Sequence, residues 1–147
     1  MLPCQRIDSR VRLSQWLVLT IGLAAVMPVL AQVDVMAPLA AAGDAKRGRA
    51  LLLARESANC ILCHGLSDPG VRFSGNLAPP LDGVGARLAP AQLRARIADS
   101  SRINPQTIMP PYFRTEGLTE VAAQYRGKTV LAAQEVEDIV AYLAGLK

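Results

Sequence analysis

The chain has 147 residues, of which 51% are apolar and 19% charged, with a net charge of +4 at neutral pH. That length admits one domain and leaves no room for a second core of ordinary size. The pI of 9.3 does not indicate nucleic acid, because no Lys/Arg run with interleaved aromatics accompanies it.

At the N-terminus, Arg6, Arg10 and Arg12 precede an apolar run from Trp16 to Leu30, closed by Ala31. A basic start, a short apolar stretch and a small residue describe a secretory signal, residues 1–31, cleaved after Ala31. An uncleaved anchor is the alternative, but the run is shorter than the roughly 20 residues a bilayer requires. Cleavage removes three basic residues and Asp8, leaving 13 basic against 11 acidic side chains, a net +2. Cys4 leaves with the signal, so the exported protein, expected in the periplasm, keeps Cys60 and Cys63.

Residues 32–42 are small and apolar without periodicity and are expected to form an extended leader before a domain at 43–147. Asp44 is a good N-cap, and Gly48, Leu51, Leu52 and Arg55 follow at helical spacing, predicting a helix over 44–57. The Gly- and Pro-rich stretch 65–89 reads as loop. A second helix is expected over 89–99, with Leu93 and Ile97 four apart, followed by the loop SRINPQTIMPPYF. The C-terminal stretch sets Val136, Ile139, Val140, Leu143 and Leu146 on one helical face, with acids in its first turn. Ala132 stands where a Ser or Thr cap is usual, which predicts a frayed start. Nothing alternates at period two for long enough to build a sheet. The domain reads as all-α, three to four short helices joined by long loops. Such a domain buries little apolar surface and commonly needs a staple, metal or cofactor.

The stretch NCILCHG supplies the chemistry, and His64 is the only histidine in the chain. Zinc in a closed site needs four ligands, and Cys60, Cys63 and His64 are three. A redox disulfide wants its Cys-x-x-Cys at a helix start in a βαβ context, which is absent. Haem c uses every residue: two thiols join the porphyrin vinyls and the adjoining imidazole ligates the iron. One motif means one haem per chain. Its sixth ligand must be Met, Lys, Tyr, an N-terminus, water or a partner's group. Met36 and Met109 are the methionines of the mature chain. Met36 lies in the leader, whereas Pro110 and Pro111 stiffen the loop that carries Met109. A thioether favours reduced iron and suits electron transfer rather than oxygen chemistry. The alternative role for Met109 is filling a core gap.

GDAKRGRALL, CILCHG, APPLDGVGARL, IMPPYF and the C-terminal VAAQEVEDIVAYLAGLK together resemble a class I cytochrome c. Residues 102–143 narrow the resemblance to SoxX, the monohaem subunit of the SoxAX complexes of bacterial thiosulfate oxidation. The resemblance implies thioether attachment at Cys60 and Cys63, His64 as proximal and Met109 as distal axial ligand of the haem iron. It also implies the Pro79 carbonyl on Nδ1 of His64, although Ala78 replaces the glycine usual before it. By the same resemblance, Gly48 belongs where the first and last helices cross, against Tyr142. Arg87 stands as a propionate partner, with a solvated arginine as the alternative.

Two functions compete on these grounds. In the first, the chain is the electron-transfer subunit of a SoxAX enzyme (an L-cysteine S-thiosulfotransferase), which couples thiosulfate to a cysteine of the carrier SoxYZ. The catalytic cysteine of that family lies on the SoxA subunit, and electrons leave to a downstream cytochrome. In the second, it is a stand-alone periplasmic cytochrome c shuttle. A peroxidase or gas sensor would need an open sixth site, against Met109. The stretch YFRTEGLTEVAAQYRGK is longer than a plain connection needs. It is expected to dock the partner through Tyr112, Phe113, Leu118, Val121 and Tyr125, with Arg114 and Glu116 as surface charges; an Ω-loop over the haem is the alternative.

Overall fold

The computed structural model describes residues 36–147. The expected signal segment and the first residues of the leader lie outside the described residues. Among the described residues there are four α-helices: α1 (Ala45–Leu53), α2 (Val84–Arg87), α3 (Pro90–Asp99) and α4 (Ala133–Gly145). Single 3-10 turns stand at Cys60–Leu62, Ser100–Arg102 and Ala123–Tyr125. Among the described residues the extended pairing is a lone parallel bridge between His64 and Ala78, so the fold is all-α as expected.

Asp44 starts α1, its Oδ1 accepting from the amides of Lys46 at 2.8 Å and Arg47 at 3.0 Å. The helix stops at Leu53, four residues before its expected end. Arg55 and Glu56 are exposed, so no apolar face holds a further turn. Instead the Asn59 amide returns to the Ala54 carbonyl at 3.1 Å, and Asn59 takes a left-handed φ of 50°, which asparagine tolerates. That reversal aims the next residue, Cys60, back toward the core.

α2 is a correction to the expected loop. Val84 is buried, and the Gly85 amide donates to the Leu146 carbonyl at 2.8 Å, so this turn is held by α4 rather than by local propensity. α3 begins with Pro90 at its first position, where a missing amide costs nothing. α4 does not fray: Glu135 Oε2 accepts from the Ala132 amide at 2.7 Å, one half of a capping box. Its buried stripe is Val136, Ile139, Val140 and Leu143.

α1 and α4 cross at Gly48. A Cβ there would stand 1.8 Å from the Asp138 carbonyl oxygen, so only glycine permits the approach. The closest atoms are thus the Asp138–Ile139 backbone, while the Tyr142 hydroxyl donates to Asp68 Oδ2 at 3.1 Å.

Residues 36–43 form a run of turn and bends rather than an extended leader, and they are docked. The Leu39 amide donates to Glu137 Oε1 at 2.9 Å, and Arg94 Nη1 to the Met36 carbonyl at 3.0 Å. Arg94 and Glu137 themselves form a buried fork, with Nε to Oε1 at 2.6 Å and Nη2 to Oε2 at 2.8 Å.

Candidate cofactor site

The turn Cys60–Leu62 is the base of the site. It carries the Cys63 amide to the Cys60 carbonyl at 3.2 Å and the His64 amide to the same oxygen at 3.0 Å. Both thiols and the imidazole therefore come from one tight turn. A second segment runs beside it: the Gly75 amide donates to Ile61 O at 2.8 Å, Ala78 to Cys63 O at 2.9 Å, and Leu81 to Gly65 O at 2.9 Å. Gly75 lets the two backbones meet, because a Cβ there would lie 2.0 Å from Leu62 O. This pairing brings the Pro79 carbonyl to 2.7 Å from His64 Nδ1. Nδ1 then carries the proton, and Nε2 is left with its lone pair for a metal. Ala78 serves in place of glycine because positive φ among the described non-glycine residues is confined to Asn59 and Glu120.

Cys60, Cys63, His64, Pro79, Arg87 and Met109 all line one cavity of about 720 Å³. Met36 is not among its lining residues. The walls are apolar, built from Leu52 of α1, Leu93 and Ile97 of α3, and Ile139 and Leu143 of α4. The size falls within the range of cofactor pockets. The only Asp, Glu, Lys or Arg side chains on its lining are Arg87 and Arg96, both cationic. Arg87 is held by the Asp82 carbonyl at 2.7 Å and the Pro80 carbonyl at 2.9 Å. The Arg96 guanidinium reaches the Gln92 carbonyl at 3.3 Å. Asn59 Oδ1 is buried on the same lining with no hydrogen-bond partner, an amide that can turn either end to a bound group.

This donor set fits a haem: two thiols at the rim, a lone-pair imidazole, a thioether, apolar walls and cations for two propionates. It does not fit zinc, since no group of three or more His, Cys, Asp or Glu side chains able to hold a metal exists among the described residues. No disulfide joins Cys60 to Cys63. Burial pushes the Cys60 thiol up to about 11, the opposite of the lowered value a redox-active thiol requires.

Met109 is half-buried and packs on the core, its amide donating to Thr107 Oγ1 at 3.2 Å. Tyr112 is buried, with its hydroxyl on the Ala58 carbonyl at 2.7 Å, and Phe113 also packs on the core. Neither is a free docking aromatic. Leu118, Val121 and Tyr125 instead surround an open depression of about 550 Å³. Arg114 is half-buried and paired, donating from Nη1 to Asp99 Oδ2 at 2.9 Å and to Ser101 Oγ at 3.0 Å.

Sequence reasoning missed Arg96. Its signal was its position three residues after Leu93 and beside Ile97, on the face that lines the cavity. Asn59 and Tyr112 had no comparable signal.

A model of the cytochrome c family matches residues 45–147. Among solved structures, the chain is similar to a chain in the crystal structure of SoxXA from P. pantotrophus. The identity is 35% and the TM-score 0.67, over 73% of this chain and 84% of that one. A search of curated proteins gives no match. The match over 45–147, the likeness to a SoxXA chain and a cavity suited to covalently held haem c lead to one assignment: the chain belongs to the cytochrome c family, as a SoxX-type monohaem member.

Proposed function

We propose that the chain is the electron-transfer subunit of a periplasmic thiosulfate-conjugating enzyme, paired one to one with a SoxA-type cytochrome and serving a SoxYZ-type carrier. The observation that carries this reading is the 35% identity across 84% of a chain of SoxXA. Haem c, when bound, supplies a one-electron iron couple. Cys60 and Cys63 would hold it through thioethers, His64 and Met109 would ligate its iron, and Arg87 and Arg96 would serve its propionates. The Pro79 carbonyl fixes the tautomer and the plane of the His64 ring, so the ligand is oriented before iron arrives. The walls from α1, α3 and α4 exclude water from the group and limit reorganisation on electron transfer.

The division of labour follows from the thiols. Once Cys60 and Cys63 are committed, no cysteine of residues 32–147 is left to form a bond to sulfur. The chain would then take electrons from a reaction completed on a partner's cysteine. A net charge of +2 after signal cleavage, reduced further by two propionates, offers little long-range steering for a mobile shuttle. A stable interface suits it better.

The test is purification of the tagged chain from thiosulfate-grown native cells, followed by gel filtration at rising salt. A 1:1 complex with a second c-type cytochrome is expected to persist, and the isolated chain is expected not to conjugate thiosulfate to a thiol. Elution alone at every salt concentration would favour the stand-alone shuttle. Glu116, which is exposed, is the charge to reverse at the interface. Arg114 is unsuitable because its partner Asp99 is internal.

A further inference from the structure

The loop carrying Met109 has little to hold it shut. Within it, the Gln106 amide bonds Asn104 Oδ1 at 3.1 Å, Thr107 bonds Asn104 O at 3.0 Å, and Met109 bonds Thr107 Oγ1. Pro105, Pro110 and Pro111 have no amide to give. Ile108 is 74% exposed. Apart from the packing of Met109 on the core, the bonds that tie the loop to the rest of the domain lie at its stems, and both stems converge on one carboxylate. Asp99 closes α3 and is 4% exposed. Its Oδ1 accepts from the Ser101 amide at 3.1 Å and hydroxyl at 2.5 Å, on the ingoing stem. Its Oδ2 accepts from Arg114 Nη1 at 2.9 Å, on the outgoing stem. Arg114 Nη1 also meets Ser101 Oγ at 3.0 Å, so the two stems touch directly. Two backbone bonds run beside this junction, Tyr112 to Ile97 O at 3.3 Å and Phe113 to Ala98 O at 3.0 Å. Arg114 Nε is buried without a partner, a cost the guanidinium bears while Nη1 is held in place.

We propose that Asp99 and Arg114 form a latch that positions Met109, holding its loop closed over the cavity and keeping the thioether on the iron. The inference rests on Met109 being the sixth ligand. Neither latch residue lines the cavity, so both act as positioning residues through the loop. A charge-assisted bond to a buried carboxylate is among the stronger single contacts in a protein. Its loss should therefore raise the open population of the loop by roughly tenfold, about 1.4 kcal/mol.

The test uses the ferric holoprotein with Asp99→Asn, Arg114→Gln and Arg114→Lys. Imidazole, which must displace the sixth ligand, is the probe. Asp99→Asn and Arg114→Gln are expected to bind imidazole about ten times faster than wild type. They should also lose the weak red thioether–iron band at lower urea, while the midpoint of helix loss moves less. Arg114→Lys, which keeps the charge, should recover part of the difference. Should Asp99→Asn fail to assemble, the more accessible Arg114 carries the experiment. The latch is overturned if band and helix midpoints move together, or if the imidazole rate is unchanged. Met109→Ala separates the two ideas. A red band lost there but insensitive to the latch variants overturns the latch alone, and a band that survives there overturns the ligand and the latch together.

Discussion

Replacing Gly48 by Ala tests the seam on which one wall of the cavity depends. The new Cβ would lie 1.8 Å from Asp138 O and 2.4 Å from its carbonyl carbon, whereas ordinary contact begins at 3.4 Å. α1 and α4 must therefore part by about 1.6 Å. Both obstacles are helix backbone, so no rotamer change relieves them. Overpacking of this kind costs about 1–3 kcal/mol, and more where the neighbours are rigid. The parting also strips contacts from Leu52 and Ile139, each 1% exposed. Alanine's helix propensity returns about 1 kcal/mol. With the clash placing the cost at or above the top of that range, a net loss of about 2 kcal/mol or more is expected. Gly145→Ala is the control, since nothing lies within 4 Å of a Cβ at that position. Urea unfolding of the two holoproteins, followed by circular dichroism, gives the comparison. If Gly48→Ala falls within about 1 kcal/mol of the control, the helices do not cross as closely as described.

Met109→Ala should keep covalent haem, abolish the weak red band and lower the reduction potential, while Met36→Ala changes neither; spectroscopy and redox titration decide. Glu137→Gln strands the buried Arg94 guanidinium and should cost about 3–5 kcal/mol in urea unfolding, most of it recovered when Arg94 is also replaced by Met. The Arg47 hydrogen bond pulls the Asp138 carboxyl from 3.8 down to about 2. Because the folded state favours the ionised form, this stability is complete above 3.8 and is lost as pH falls through about 2. Asp138→Asn should therefore flatten the acid limb of the stability profile in that window, measured by urea midpoints across pH.

How far the sequence reveals the fold depends on where each segment finds its partner. α4 is legible because its stripe from Val136 to Leu143 repeats within the helix itself. The start of α1 is legible through Asp44, but its end is not, since the stop depends on where the core runs out. α2 is illegible because its decisive bond goes to Leu146, and the docked leader is illegible because Arg94 and Glu137 stand 43 residues apart. At the site, Cys60, Cys63 and His64 are contiguous and declare themselves. Pro79 lies 15 residues from His64 and was accessible only through resemblance. Arg114 looked like a surface charge because nothing local distinguishes an exposed arginine from one that bonds an internal aspartate.

These misses share a physical cause. The apolar side chains of this small domain are largely spent on the cavity walls and the α1–α4 seam, so the loops must be held by something else. Three of them, and the start of α1, are held by a carboxylate with little exposure. Glu137 holds the leader through Arg94 and the Leu39 amide. Asp138 joins Arg47 to the start of α1. Asp68 ties the 65–75 segment to Arg49 and Tyr142. Asp99 gathers the stems of the Met109 loop. Bonds from Arg49 and Arg47 hold Asp68 and Asp138 below the usual carboxylate range. At Glu137 and Asp99 burial works against ionisation, and bonds led by Arg94 and Ser101 overcome it. All four clamps are therefore at full strength at neutral pH and weaken as acid protonates each carboxylate in turn. The apolar contacts between α1 and α4 carry no such dependence, although Asp138 on α4 adds an acid-sensitive bond to Arg47 and to the Asp44 amide. Acid should release the loops, the one carrying Met109 among them, before it separates α1 from α4.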